Sequence, residues 1–274
     1  MVPHPAFEFA AKTDTGLIRS HNEDSIAINP DYGFAILADG MGGYNAGEVA
    51  SDIATSVLKD ALEDGLKQLQ SKHELRAHCD KQIHQLMIDS IQRANTAILH
   101  AADAEPEYAG MGTTLVAALF HEGKVTVAHV GDSRAYRLRQ GTLEQITHDH
   151  SLLQEQIDAG LIAPEWARFS LNKNLVTRAV GVGFDMEVEI HDHDTEPGDV
   201  YLLCSDGLSD MLDVREIQGI LKDCGAALEE ACDTLVQRAN DNGGRDNISV
   251  ILIRIPANSG ASGNLFGRIM NWLT

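Results

Sequence analysis

Basic side chains are scarce: 21 lysines and arginines stand against 41 aspartates and glutamates in 274 residues, a formal charge of −20. A surface of that sign repels phosphate backbones and anionic lipid, which argues against a nucleic-acid or membrane-surface role and for cation binding. Cysteines are few as well. Cys79, Cys204, Cys224 and Cys232 show no C-x-x-C spacing, so they neither staple a secreted scaffold nor form a zinc knuckle, and we expect them reduced and mostly buried. No stretch approaches the roughly 18 apolar residues of a membrane span. The opening MVPHPAFEFAAKTD has neither the basic nor the apolar region of a secretion signal, and the expectation is a cytoplasmic protein.

What is present suffices for a core, since apolar residues make up 43% and charged ones 23% of the chain, close to ordinary globular usage. Short apolar runs predict strands over 7–12, 25–28, 32–38, 113–120, 124–130, 134–139, 187–191, 200–205 and 248–255. Short turns at 29–31, 121–123 and 140–141 join several of them, which requires antiparallel neighbours because a parallel pair needs a long crossover. Two amphipathic stretches, about 47–70 and 74–104, predict a helical hairpin over one sheet face, with Val49, Ile53, Leu58 and then Ile83, Ile91, Ile98 on the apolar stripe. Shorter helices are expected over 151–159, 214–222 and 226–240, with Gly225 as a stop. This alternation predicts layered α+β packing.

The aspartates carry the chemical signal. Three buried-looking strands run into an acidic tip, at Asp39, Asp132 and Asp206, and GGRDN places Asp246 at the entry to a fourth. Glu23 and Asp24 adjoin another strand in RSHNEDS. Taken singly, Asp39-Gly40 and Asp206-Gly207 read as hairpin turns, the ordinary use of Asp-Gly. Taken together they suggest one electronegative edge, and gathered carboxylates repel one another unless cations compensate. Oxygen ligands without cysteine or histidine select hard ions, Mg²⁺ or Mn²⁺ rather than Zn²⁺.

The ordered segments RSHNEDS, ILADGMGGYNAGEVAS, GMGTTLVAALF, VAHVGDSRAYRL, THDHS, LVTRAVG, LLCSDGLSDML and GGRDNISVILI together resemble the metal-dependent protein Ser/Thr phosphatases of type 2C, especially their bacterial members. The resemblance runs from about residue 7 to 255. It implies a four-layer αββα sandwich, two antiparallel sheets flanked by antiparallel helix pairs, and a single catalytic domain over 1–256 with a flap at about 152–174. Carried over by position, it makes Asp39 the carboxylate bridging two Mn²⁺ or Mg²⁺ ions, with Asp206 and Asp246 on the first. The Gly40 carbonyl and Glu23 serve the second ion, and Asp24 and Asn247 support the ligands from behind. Asp132 resembles the ligand of a third, weaker ion. Arg19 matches the phosphate-binding arginine, whose planar fork suits two phosphoryl oxygens.

The implied activity is hydrolysis of phosphoserine and phosphothreonine by a metal-bridging water or hydroxide, without a phosphoenzyme. The implied partners are phosphorylated proteins, substrates of a bacterial Ser/Thr kinase. Met41 stands where many eukaryotic relatives have a histidine proposed as general acid, and methionine has no proton to give. Metal-bound water or another side chain must then supply the proton; His148 and His150 in THDHS are candidates, against a structural role for that segment. A noncatalytic phosphoprotein-binding protein on the same fold is the rival reading, and intact Arg19, Asp39, Asp206 and Asp246 weigh against it.

Other signals have blander explanations. Cys232 and Arg238 form C-x5-R by chance, on an apolar helix face without a glycine loop to cradle phosphate. HDHDTEPGD, 191–199, has Pro197 where a calcium loop needs glycine, and reads as a solvated turn. DGMGG lacks the lysine of a nucleotide loop. In the flap, Trp166, Arg168 and Phe169 are candidates for substrate contact. After Pro256 the small-residue linker and apolar tail of 257–274 read as a helix docking back on the domain or onto a partner.

Overall fold

Runs such as FAIL, LVAALFH, VTVAHV, VYLLC and SVILI do not alternate apolar with polar, although they lie in antiparallel sheets, because each is covered on both faces. The structure, a computed structural model, describes residues 7–43, 46–71, 79–163, 166, 170, 175–223, 225 and 227–256. One sheet has the order β1 (Glu8–Asp14), β11 (Ile248–Arg254), β10 (Val200–Cys204), β7 (Arg134–Arg139), β8 (Thr142–Gln145). The other runs β2 (Asp24–Asn29), β3 (Phe34–Met41), β5 (Leu115–His121), β6 (Lys124–Val130), β9 (Glu189–Asp194), with β4 (Gly112–Thr113) paired to the end of β3. Every pairing is antiparallel.

Three apolar layers follow from this stacking. Between the sheets, Leu37, Val116, Phe120, Tyr201, Leu203 and Ile251 are buried, with the Phe120 and Tyr201 rings 5.3 Å apart. Outside the second sheet lie α1 (Ala46–Ser71) and α2 (Cys79–Ala104), whose Ala50, Ala54, Leu58, Ile83, Met87 and Ile91 face β3 and β5. Gly65, late in α1, abuts Leu86, early in α2, so the two helices run antiparallel. Outside the first sheet, α5 (Val214–Asp223) and α6 (Leu228–Asp241) bury Ile217, Leu221, Leu235 and Val236. Each such side chain contributes roughly 1.5–3 kcal/mol on leaving water. The four-layer αββα sandwich expected from the sequence is the fold. No helix among the described residues is long and apolar enough to cross a membrane.

The differences from expectation are local. Strand β8 escapes the sequence pattern because only Leu143 of its four residues is buried. Strand β9 begins two residues later than expected and takes in His191–Asp194, so the HDHD run is an edge strand and not a solvated turn. Its Asp192 accepts from Thr126 Oγ1 at 2.6 Å and pairs with His84 Nε2 at 2.9 Å. Asp199, nearly inaccessible, accepts from the Arg139 guanidinium at 2.6 and 2.9 Å. Neither Asp-Gly pair is a hairpin turn. Asp39-Gly40 lies within β3, and Asp206-Gly207 opens the short helix α4 (Asp206–Ser209). Cys204 and Cys232 are buried free thiols, and burial pushes each up to about 12, which leaves Cys232 inert as a nucleophile. Arg168, Phe169 and the tail of 257–274 lie outside the described residues.

Candidate active site

The two sheets bring their acidic ends to one edge of the sandwich. Asp24 opens β2 directly across from Asp39 in β3. Asp206 follows β10, and Asp246 and Asn247 precede β11, the strand that pairs with β10. Main-chain groups around Asp39 are fully engaged: its N–H donates to Thr114 Oγ1 at 3.1 Å, and its carbonyl accepts from Thr114 N and Thr113 Oγ1 at 2.8 and 2.9 Å. The side chain is thus presented by a rigid strand end. Thr114 Oγ1 also shares a 2.7 Å hydrogen bond with Ser133 Oγ, which ties Asp39 to the loop holding Asp132.

Asn247 organises the other wall. Its amide Oδ1 accepts from Glu23 N at 2.8 Å, and Nδ2 donates to the carbonyls of Thr15 and His21 at 2.9 Å each. One buried amide thereby pins the loop that carries Arg19 and Glu23 against the start of β11. Arg19 Nη2 donates to Asp246 Oδ2 at 2.7 Å with its side chain half exposed. Gly40 N donates to the Glu23 carbonyl at 3.0 Å. A Cβ on Gly40 would fall on the Gly47 carbonyl oxygen, and one on Gly47 would lie 2.8 Å from the Glu23 carboxylate. The two glycines therefore let β3, the Glu23 loop and the start of α1 meet. Gly40→Ala should disrupt this junction, lowering both the melting temperature and turnover. Wild-type values for both would show that the backbones can separate without harm.

The electrostatics are those of a site short of positive charge. Close packing, then the charges of Asp24, Asp206, Asp132 and Asp246, hold the Asp39 carboxyl well above the usual carboxylate range. Packing, then Asp132, Asp210 and Asp246, does the same to Asp206. Burial raises Asp24 and Asp132 to about 6 each, and raises Glu23 less. Asp24 Oδ2 accepts from Ser205 Oγ at 2.8 Å, but its buried Oδ1 has no hydrogen-bond partner, an orphan of the kind that needs explanation. The donors are carboxylate and carbonyl oxygens, the chemistry of hard divalent cations, and the residues fit Mn²⁺ or Mg²⁺. Beyond Asp206 a cavity of about 260 Å³ opens between Asp132, Asp206 and Asp210 on one side and Ser151, Leu153 and Gln154 of the flap helix α3 (Leu152–Asp158) on the other.

Arg19, Glu23, Asp24, Asp39, Gly40, Asp206, Asp246 and Asn247 thus meet at this edge, with Asp132 at its flap side. Neither candidate acid bonds to a carboxylate of the cluster. His148 is half exposed and paired with Asp158 at 2.7 Å. His150 is buried and bonded to Gly131 and Glu189. The positioning groups Thr113, Thr114, Ser133 and Ser205 were not singled out; their signal was a hydroxyl at or next to the end of an apolar strand.

Among the described residues, three donor atoms of His, Cys, Asp or Glu lie within 4.8 Å of one another at His129, His150 and Glu189. Their hydrogen bonds argue against an ion. His129 Nε2 meets the His148 carbonyl at 2.8 Å and so carries a proton. His150 Nδ1 accepts the Gly131 N–H at 3.1 Å, which puts the ring proton on Nε2, facing Glu189 Oε2 at 3.1 Å. Neither Nε2 offers a lone pair.

Known proteins share this architecture. The protein phosphatase 2C family model matches residues 19–252. The serine/threonine phosphatase stp of Listeria welshimeri is 40% identical over 245 residues, 88% of this chain and 93% of that protein. The crystal structure of the Mycobacterium tuberculosis serine/threonine phosphatase PstP/Ppp superposes with a TM-score of 0.81 at 35% identity, covering 91% of this chain and 99% of that one. A structure of the PstP catalytic domain in complex with two manganese ions has a TM-score of 0.77 at 35% identity, covering 91% and 98%.

Proposed function

The chain belongs to the protein phosphatase 2C family and is a metal-dependent protein serine/threonine phosphatase, and from that premise we propose how its own residues do the work. Asp39, Asp206 and Asp246, with the Gly40 carbonyl and Glu23, hold two Mn²⁺ or Mg²⁺ ions, and Asp132 holds a third. When bound, the ions supply charge neutralisation at the phosphoryl group and a water nucleophile active near neutral pH. Asp24 and Asn247 hold these ligands in place through the bonds to Ser205, Glu23 and the Arg19 loop.

Arg19 binds the phosphoryl oxygens. Its link to Asp246 fixes the guanidinium beside the carboxylates, and its half-exposed side chain leaves room for a bidentate contact. A phosphomonoester dianion approaching a chain of charge −20 is repelled unless cations sit at its landing point, so binding and turnover both rise steeply with metal. Met41 supplies no proton, so the leaving alcohol is protonated by another group. The substrates are phosphoserine and phosphothreonine proteins of a bacterial Ser/Thr kinase.

The convergence of five aspartates, from both sheets, on one edge where each raises another's proton affinity carries this reading. Phosphate release from a phosphothreonine peptide, with Mn²⁺ and with EDTA, tests it. Release is expected only with the metal. Peptide binding without release under either condition would restore the noncatalytic alternative.

A further inference from the structure

The THDHS segment is bonded to the loop that carries Asp132, and its histidine grips that loop at two points. His150 N donates to the Gly131 carbonyl at 3.0 Å, and Gly131 N donates back to His150 Nδ1 at 3.1 Å. Beside it, Asp149 accepts the Arg134 guanidinium through contacts of 2.6, 2.9 and 3.0 Å. Residues 131–134 are thus clamped from 149–150, with Asp132 between the fixed points. Gly131 can be nothing else here: its φ is +104°, and a Cβ would lie 2.8 Å from Thr114 Cβ. Because Thr114 bonds both Asp39 and Ser133, the clamped loop is in register with the core aspartate.

We propose that His150 is a positioning residue for the third ion: as the Nε2–H tautomer it accepts the Gly131 N–H on Nδ1 and thereby fixes the direction of the Asp132 carboxylate. The tautomer is set from the far side of the ring. Glu189 Oε2 in β9 accepts the Nε2–H at 3.1 Å and His129 stacks on the ring at 4.7 Å, while Arg178 Nη1, a donor 3.4 Å from Nε2, disfavours that proton but lies farther off than Glu189. Moving the proton to Nδ1 would aim two N–H groups at each other and push Gly131 away. The clamp acts through ring-nitrogen chemistry, and its effect falls on Asp132 rather than on Asp39, Asp206 or Asp246.

This inference rests on Asp132 as a ligand of a third ion, and two amide substitutions separate it from general packing. In His150→Asn the amide oxygen replaces Nδ1 and keeps the acceptor for Gly131, whereas His150→Gln places its amide near Nε2 and loses that acceptor. Calorimetric titration with Mn²⁺ alone should show two core ions unchanged in all variants. The third ion should weaken roughly 10- to 100-fold in His150→Gln, in line with losses of outer hydrogen-bond partners, and stay within about threefold of wild type in His150→Asn. Equal third-ion affinity in both variants, whether normal or weak, overturns the proposal. Asp132→Ala should bind two ions with a milder kinetic loss than a core-ligand change; three ions there, or only two in the wild type, would overturn the Asp132 assignment itself. Nitrogen NMR of the wild-type imidazole needs no variant to fold: it should find Nδ1 unprotonated, and a protonated Nδ1 overturns the clamp.

Discussion

Asp39→Asn should lower kcat by on the order of 10³-fold or more while raising the melting temperature of the metal-free protein. The fold is insensitive to the change because the backbone at Asp39 is held by Thr113 and Thr114, and asparagine has the same shape. What changes is charge. In the absence of metal, Asp39 faces Asp24, Asp206, Asp132 and Asp246, so it must either stay charged against them or take up a proton to escape them; asparagine is neutral without that proton and stabilises the metal-free state. With metal, the same charge is the one proposed to lie between two cations, and its loss weakens both. Activity and metal-free stability should therefore move in opposite directions, which a damaged core cannot mimic. Steady-state assay and thermal melting with and without Mn²⁺ read both quantities. Near-normal turnover would remove Asp39 from the bridging role.

Much of this was legible in the sequence, for physical reasons that differ by element. The central strands announced themselves as continuous apolar runs because they are buried on both faces, and the hairpins through short turns such as Glu122-Gly123 and Gln140-Gly141, which adopt φ of 42°, 79°, 50° and 78°. Strand β8 gave no signal with one buried residue, and the second half of β9 read as a solvated turn because its charges are satisfied by distant partners, Asp192 by Thr126 in β6 and His84 in α2. The acidic tips were visible as a pattern, yet Asp-Gly is locally a turn. Only pairing between β2 and β3, and between β10 and β11, gathers them. Arg19 acquired its role through family resemblance alone, since a lone arginine leaves no local signature. The grip of Asn247 on 15–23 joins positions 224 to 232 residues apart, and that of His150 on Gly131 spans 19 residues without any helical or strand periodicity to mark it.

The stabilisation conferred by Mn²⁺ should grow as pH rises from 5 to 7. In the metal-free fold Asp24 and Asp132 titrate near 6, against 3.8 for an ordinary aspartate. Burial and the neighbouring carboxylates hold Asp39 and Asp206 well above the usual carboxylate range too. A carboxyl whose folded pKa is raised binds protons that the unfolded chain has released. Its contribution to stability is complete below the unfolded pKa and is lost as pH climbs through the folded one. Between pH 5 and 7 each group near 6 therefore costs the metal-free fold on the order of 1 kcal/mol. Burial lowers His121, His129, His150 and His193, which makes stability fall toward acid and so opposes this trend. His121 and His193 titrate with or without metal and cancel in the difference, and an ion that favours the neutral His150 ring shifts the difference in the same direction as the carboxylates. With the carboxylates committed to cations at both pH values, the Mn²⁺-induced shift in melting temperature should widen by about 5–10 °C from Asp24 and Asp132 alone, at ~2–4 °C per kcal/mol for a domain of this size. Melting scans at saturating Mn²⁺ and in EDTA across that range give the difference directly. A shift that is flat with pH, or that narrows, would mean the clustered carboxylates hold no excess protons and are not the groups the cations neutralise.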